Sequence, residues 1–446
     1  MTVAARMLAE FAVGLTFDRI PNAVIERAKS CMIDTIAATI FGATFPWSRI
    51  IIDYVQRNSA PGNATVWGTP LRVRAPFAAL ANGALAHAFE LDCTYHPSVG
   101  AHPGAGLTSP GLAVAQARGR SGKDLITAFV AASEVMYRIG DAGRQSIEKL
   151  GFHSPGLLGV FGGAVAAGRL MDLDVERMTN ALGIAGSLCS GLLEFSKSGG
   201  GMVKRLHLGH AAENGIKAAA LARESLTGPG TVLDGRFGFL NVYCRDAEPA
   251  RLTAGLGEVW HTLTTSQKCY ACHNTAHVPV TAALEIKSRH GITGGDIASV
   301  VVASSAKMVS HHNIPEPQDV MMAQYSAPFC VALAFYRDPR DPRVFSNQSL
   351  NDSAIRALCR QVKLEVLKGT DNEKASRVTV VLKDGRKLVQ DMESFPGMPQ
   401  QPLSRDQLRE KFNTLTAALP AASADRIFTQ FDALDTVVDA GKLQLD

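Results

Sequence analysis

A chain of 446 residues is too long for one ordinary core, so two domains are the starting expectation. With 46% hydrophobic and 19% charged residues, the composition excludes a bulk disordered protein. A net charge of +4, without a run of Lys or Arg, argues against a dedicated nucleic-acid surface but allows a local positive cleft for acidic ligands.

Residues 4–15 read as an amphipathic helix, with Glu10 inside the apolar stretch, rather than as a signal peptide. Helices are predicted over 21–41, where Pro21 suits a first turn and Gly42 a stop, and over 46–57 and 76–92. Another follows at 122–139, with Ser121 as a cap and Asp124 in the first turn. From Pro155 to Ala222 the chain is rich in Ala and Gly at helical spacing, which lets helices approach closely. The longest apolar run, Pro155 to Gly168, is stopped by Arg169 and falls short of a membrane span.

The pattern then changes. Strands are predicted at 298–304, 362–367, 378–382 and 386–390, the last two as a hairpin around Lys383-Asp384-Gly385. Helices at 275–290 and 322–336 intervene. Pro396, Pro399 and Pro402 mark a linker, and Leu408, Phe412, Leu415 and Leu419 form the apolar face of a final helix, with Ser404 and Gln407 as a capping box. Eight cysteines fit buried thiols in a reducing cytosol, so the expected location is the cytoplasm, without nucleic acid or membrane as partner.

Four strings carry the chemistry. Asn82 to Gly106 packs His87, Glu90, Asp92, Thr94, Tyr95, His96 and His102 where a helix runs into a loop, turn-rich through Pro97, Gly100, Pro103, Gly104 and Gly106. In Gly151-Phe152-His153-Ser154-Pro155-Gly156, Ser154 can cap a helix, and His153 faces its positive end, which favours a neutral imidazole. The string Gly199-Gly200-Gly201-Met202-Val203-Lys204-Arg205-Leu206-His207 could cradle an anion, with Lys204 as a compact charge for a carboxylate. It is not a Walker A loop, since no Gly immediately precedes Lys204 and neither Ser nor Thr follows. Finally, Cys269-Tyr270-Ala271-Cys272-His273 matches the haem-attachment pattern, and with His277 it could also bind zinc.

These strings resemble the MmgE/PrpD family, which includes 2-methylcitrate dehydratases, cis-aconitate decarboxylases and iminodisuccinate epimerase, over about residues 4 to 440. The first resembles its NG…AHA.DFDDT…HPS segment, and GFHSP its histidine-bearing motif. Lys204 to Gly215 resembles K-[PR]-L/M-H-x-G-x-A-A-x-[NH]-G. Lys268 to His277 resembles a lysine-headed element that uses neither metal nor haem, which makes the cysteines incidental and His277 structural. The resemblance implies a mainly α fold: a large all-α helical domain over 1–262, a smaller α+β lid domain over 263–397, and C-terminal helices, 398–446, returning to the first.

It also implies a metal- and cofactor-free homodimeric lyase, a dehydratase or decarboxylase of a small di- or tricarboxylate. An isomerase or epimerase on the same site and a non-catalytic carboxylate-binding homologue are the alternatives. His102, His153, Lys204, Lys268 and His273 are the implied catalytic residues, expected to converge on one cleft between the domains. Glu90, Thr94, His207 and Phe329 are the implied substrate contacts. Glu90 stands where the family has Asp, and Phe329 where it has Tyr in an A.FS.PY motif; Tyr325 and Tyr95 are the phenols that could substitute. Together they point to a substrate smaller or less hydroxylated than methylcitrate. His210, His261, His290, His311 and His312 are read as structural.

Overall fold

The computed structural model describes residues 3–96, 100–198, 200–370 and 372–445; Pro97 and Gly199 of the strings above lie outside the described residues. The chain forms two compact units. The larger comprises Met1–Ala88, Asp92–Gln267 and Arg405–Asp446, and the smaller Phe89–Leu91 and Lys268–Ser404. No single described helix is long and apolar enough to cross a membrane.

The larger unit begins with α1 (Ala4–Gly14), α2 (Asn22–Gly42), α3 (Pro46–Asn58) and α4 (Ala75–Ala86). Pro21 is the residue before α2 and its carbonyl accepts the first helical N–H bonds. α2 ends at Gly42, where a side chain would overlap the Leu85 carbonyl of α4. Next come α5 (Ser109–Arg118), α6 (Gly122–Gly143), α7 (Ser154–Leu170) and α8 (Val203–Arg223). The capping box of Ser121 and Asp124 opens α6. α8 packs against both α7 and α4. Its approach is glycine-dependent: a Cβ on Gly215 would lie 2.6 Å from the Gly163 carbonyl carbon, and one on Gly83 would lie 2.9 Å from the Leu208 oxygen. The C-terminal helices Arg405–Leu415 and Ala421–Asp432 belong to this unit. The first buries Leu408, Phe412 and Leu415, and Lys411 pairs with the buried Asp34 of α2.

Three expectations are corrected here. The larger unit is not purely helical: β1 (Pro61–Thr65) pairs with β2 (Arg72–Val73), and β3 (Thr94–Tyr95) with β4 (Thr265–Ser266). The β3–β4 ladder lies within this unit, whose middle stretch runs to Gln267. α4 stops at Ala86 rather than 92, because Glu90 takes a left-handed φ of +59° that no helix of L-residues continues. The expected turn-rich loop gives way to helical backbone from Gly104. A π-helical turn over Gly104–Thr108 leads straight into α5, a geometry frequent near functional sites.

The smaller unit is a four-stranded sheet in the order β6-β5-β7-β8, from β5 (Ile297–Ser304), β6 (Val362–Val366), β7 (Ser376–Leu382) and β8 (Lys387–Met392). β5 runs parallel to β6 and antiparallel to β7. β7 and β8 form the expected hairpin, with Gly385 at φ +88° in its turn. Alternate residues Val300, Val302, Val378 and Val380 are buried. Helix α9 (His277–His290) packs on β7 and β8. The predicted helix 322–336 is two: α10 (Val320–Tyr325) and α11 (Ala327–Tyr336), broken where Pro328 enters the first turn of α11 and Ser326 caps it through the Phe329 N–H at 3.0 Å.

The π-helical turn yields a paired test. A Cβ on Gly104 would overlap Thr35 Oγ1 and sit 2.9 Å from Cys93 Sγ, whereas one on Gly106 meets only the Gly159 Cα at 3.6 Å. Gly104→Ala is expected to destabilise the protein by about 1–3 kcal/mol and Gly106→Ala far less, read as thermal midpoints by circular dichroism. Equal midpoints would contradict this description.

Candidate active site

α4 ends in His87, which caps it, and five residues later the chain places Asp92, fully buried. His87 Nδ1 lies 3.1 Å from both Asp92 oxygens, and His102 Nδ1 lies 2.7 Å from Asp92 Oδ2. The two rings meet edge to face at 4.8 Å. A carboxylate only accepts, so each imidazole donates its Nδ1–H, which in the neutral ring leaves Nε2 as the lone pair. His87 Nε2 is buried and has no hydrogen-bond partner among the described residues. Burial, reinforced by the nearby Lys204 charge, holds the His87 imidazole well below its ordinary pKa. Burial pushes the Asp92 carboxyl up, but the two imidazoles outweigh it and keep the group ionised.

His153 is the residue before α7 and Ser154 its first helical residue. Ser154 therefore does not cap, and its hydroxyl has no partner among the described residues. The His153 ring is 6.1 Å from that of His87, and its Nδ1 lies 2.9 Å from His207 Nδ1, so one of this pair donates and the other accepts. Both stay neutral: burial lowers His153 first, then His87 and His207, and burial lowers His207 with help from His210 and Lys204. Lys204 and His207 occupy successive turns of one face of α8, three residues apart. Arg205 turns elsewhere, bonding the Ala88 and Gly201 carbonyls and covering Trp47. Thr94 lies in β3 with its hydroxyl buried and unpartnered among the described residues.

In the smaller unit Lys268 and Glu90 form a buried ion pair at 2.9 Å. Glu90 holds the lysine rather than a histidine, from a left-handed backbone that destabilises it by about 1–2 kcal/mol. The Tyr325 hydroxyl reaches the other Glu90 oxygen at a long 3.4 Å. His273 caps a short helical turn; its Nδ1 accepts the Thr275 N–H, so Nε2 carries the proton. Its ring stacks on His312 at 4.1 Å and lies 5.2 Å from Tyr325. Burial first, then His312, Lys307, Lys268 and Lys374, keeps His273 neutral. Phe329 is buried in α11, and the phenol near His273 and Glu90 belongs to Tyr325. Tyr95 is committed to Asp141 and His261 in the larger unit.

His102, His153, Lys204 and His207 thus gather in the larger unit, and Glu90, Lys268 and His273 in the smaller. The sequence marks His87 and Asp92 only as members of a cluster and reads His312 as structural. The spacing of His87 and Asp92 is a usable signal for the first pair; the local signal for His312 is its adjacency to His311. His87, Asp92 and His102 are also a group whose ligand-type atoms lie within 4.8 Å of one another. In the Cys-x-x-Cys-His string, Cys269 donates to the Pro396 carbonyl while Cys272 faces His277.

The profile of the MmgE/PrpD N-terminal domain matches residues 6–252, and that of the MmgE/PrpD C-terminal domain residues 270–435. A cis-aconitate decarboxylase of Aspergillus terreus is 30% identical over 92% of this chain and 89% of its own. The human cis-aconitate decarboxylase is 28% identical over 90% and 85%, and the mouse enzyme 26% identical over 96% and 90%. With both domain profiles matched in order and relatives aligned along almost the whole chain, this protein belongs to the MmgE/PrpD family.

Proposed function

We propose that the protein is a metal-independent lyase acting on a small polycarboxylate, with decarboxylation of cis-aconitate as its reaction. The observation that carries this reading is the buried Asp92 carboxylate, which orients the imidazoles of His87 and His102 with their Nε2 lone pairs available. Its relatives that are cis-aconitate decarboxylases support the substrate class. We further place it in the cytoplasm as a homodimer.

In such a reaction carbon dioxide leaves, the electron pair of the broken C–C bond spreads over the adjacent unsaturated carboxylate, and one proton is delivered to carbon. Lys204 and Lys268 bind carboxylates and stabilise that charge. His102, held on Asp92, and His153 transfer protons, and His273 donates through Nε2–H. Thr94 and His207 contact substrate. Tyr325 supplies the phenol that Phe329 lacks, and an unhydroxylated substrate suits that exchange.

The test is product analysis by NMR with cis-aconitate, methylcitrate and C4–C5 dicarboxylates, run with and without chelator. Asp92→Asn, which removes the acceptor that sets both tautomers, is expected to lower kcat by about 10²–10⁴ with the fold retained. Wild-type turnover by Asp92→Asn would sink the reading.

Lys268→Met removes the cation of the buried pair while the Glu90 carboxylate stays buried, and should destabilise the protein by about 3–5 kcal/mol. Lys268→Met combined with Glu90→Gln should recover most of that stability in thermal melts while kcat/KM stays low. Recovery of activity along with stability would show that the lysine serves only the ion pair.

Because His87, His153 and His273 all lie below the ordinary imidazole value of 6.5, they remain uncharged at pH values where an exposed histidine is half protonated. The acid limb of kcat/KM against pH is therefore expected below 6.5. An acid limb centred above that value would contradict this assignment.

A further inference from the structure

His312 directly follows the short helix Ala306–His311 and stacks on His273, yet nothing above uses it. Its Nδ1 is 3.0 Å from the Tyr325 carbonyl, which only accepts, so Nδ1 carries the proton. Nε2 is then a bare lone pair. It is buried and has no hydrogen-bond partner among the described residues, although the residue is only 4% exposed. A buried acceptor without a donor is destabilising and calls for a group that completes it. The stacked neighbour has the opposite tautomer, with His273 Nε2 carrying its proton. The pair therefore offers one donor and one acceptor.

The surroundings are cationic. Burial holds the His312 imidazole down, to about 4, and Lys307 and His311 on its own helix and Lys374 before β7 add to this; the Tyr325 carbonyl works the other way. Lys374 itself is lowered to about 8 by burial and by Lys307, with the Glu373 carboxylate opposing them.

We propose that His312 is a specificity-determining ligand for a substrate carboxyl group, and that this group binds together with one proton held between it and Nε2. The inference rests on the polycarboxylate reading above. A carboxylate oxygen and a bare Nε2 both only accept, so they cannot meet unless a proton lies between them. The proton comes from solvent and can reside on nitrogen or oxygen with the same balance. The negative charge of the carboxylate offsets that of the bound proton, and His273 Nε2–H remains a donor to the same group. Binding near neutral pH is thus tied to uptake of about one proton, and KM rises with pH.

The test is titration calorimetry of the full chain with tricarballylate, a saturated tricarboxylate, at roughly pH 7.5 in buffers of different ionisation heat. His312→Asn is the variant, since its amide N–H can keep the bond to the Tyr325 carbonyl while Nε2 is lost. The wild type is expected to take up about one proton, and His312→Asn to bind about tenfold more weakly without it, with KM for substrate rising more than kcat falls. Equal proton uptake by both proteins overturns the proposal. Absence of any binding by the wild type overturns the polycarboxylate reading itself. ¹⁵N-histidine NMR of the wild type gives an independent measurement should the variant not fold. An Nε2 signal that shifts on saturation, as an imidazole nitrogen does on gaining a proton or accepting a hydrogen bond, supports the proposal, and one that does not move overturns it.

Discussion

A carboxylate fully removed from water is the constraint around which the larger unit is arranged. Asp92 has no exposed surface, and an unpaired charge at such a place would be destabilising by several kcal/mol. Two imidazole N–H groups compensate it, and holding both in place dictates the local backbone. α4 must end at Ala86 so that His87 leaves the helix beside its partner. The chain must then turn through the left-handed Glu90, and Gly104 must lie close enough to Thr35 that no side chain fits. The same compensation that stabilises the charge fixes two tautomers, so stability and chemistry come from one set of bonds.

The two units carry complementary chemistry. The larger one presents imidazole lone pairs at His87 and His102 next to the Lys204 charge; the smaller one presents a neutral His273 N–H, a buried Lys268–Glu90 pair and the Tyr325 phenol. Small residues set the positions in the larger unit. Gly163 against Gly215 and Gly83 against Leu208 let α8 approach α7 and α4, and α8 is the helix that carries Lys204 and His207. Substitutions at these glycines would therefore move Lys204 and His207 without touching them.

Much of this was legible beforehand. The ends of α1, α2 and α3 and the start of α6 follow from periodicity, proline and caps, since a helix terminus is decided by neighbouring residues. The hairpin of β7 and β8 was readable from its glycine turn. The Cys-x-x-Cys-His string shows where local pattern is a poor guide, because its cysteines are engaged by Pro396 and His277, partners that no spacing rule predicts.

The sequence by itself determined the family, the mainly helical class with a smaller α+β part, and the strings in which the basic and histidine residues lie, because these depend on residue type and short-range spacing. Only the tertiary structure decided which atoms face one another. That Asp92 joins His87 to His102, that Glu90 neutralises Lys268, and that His312 stacks on His273 with an open Nε2 are consequences of chain direction after each helix end. Those directions are set by burial and by pairings across long stretches of chain, which no local pattern encodes.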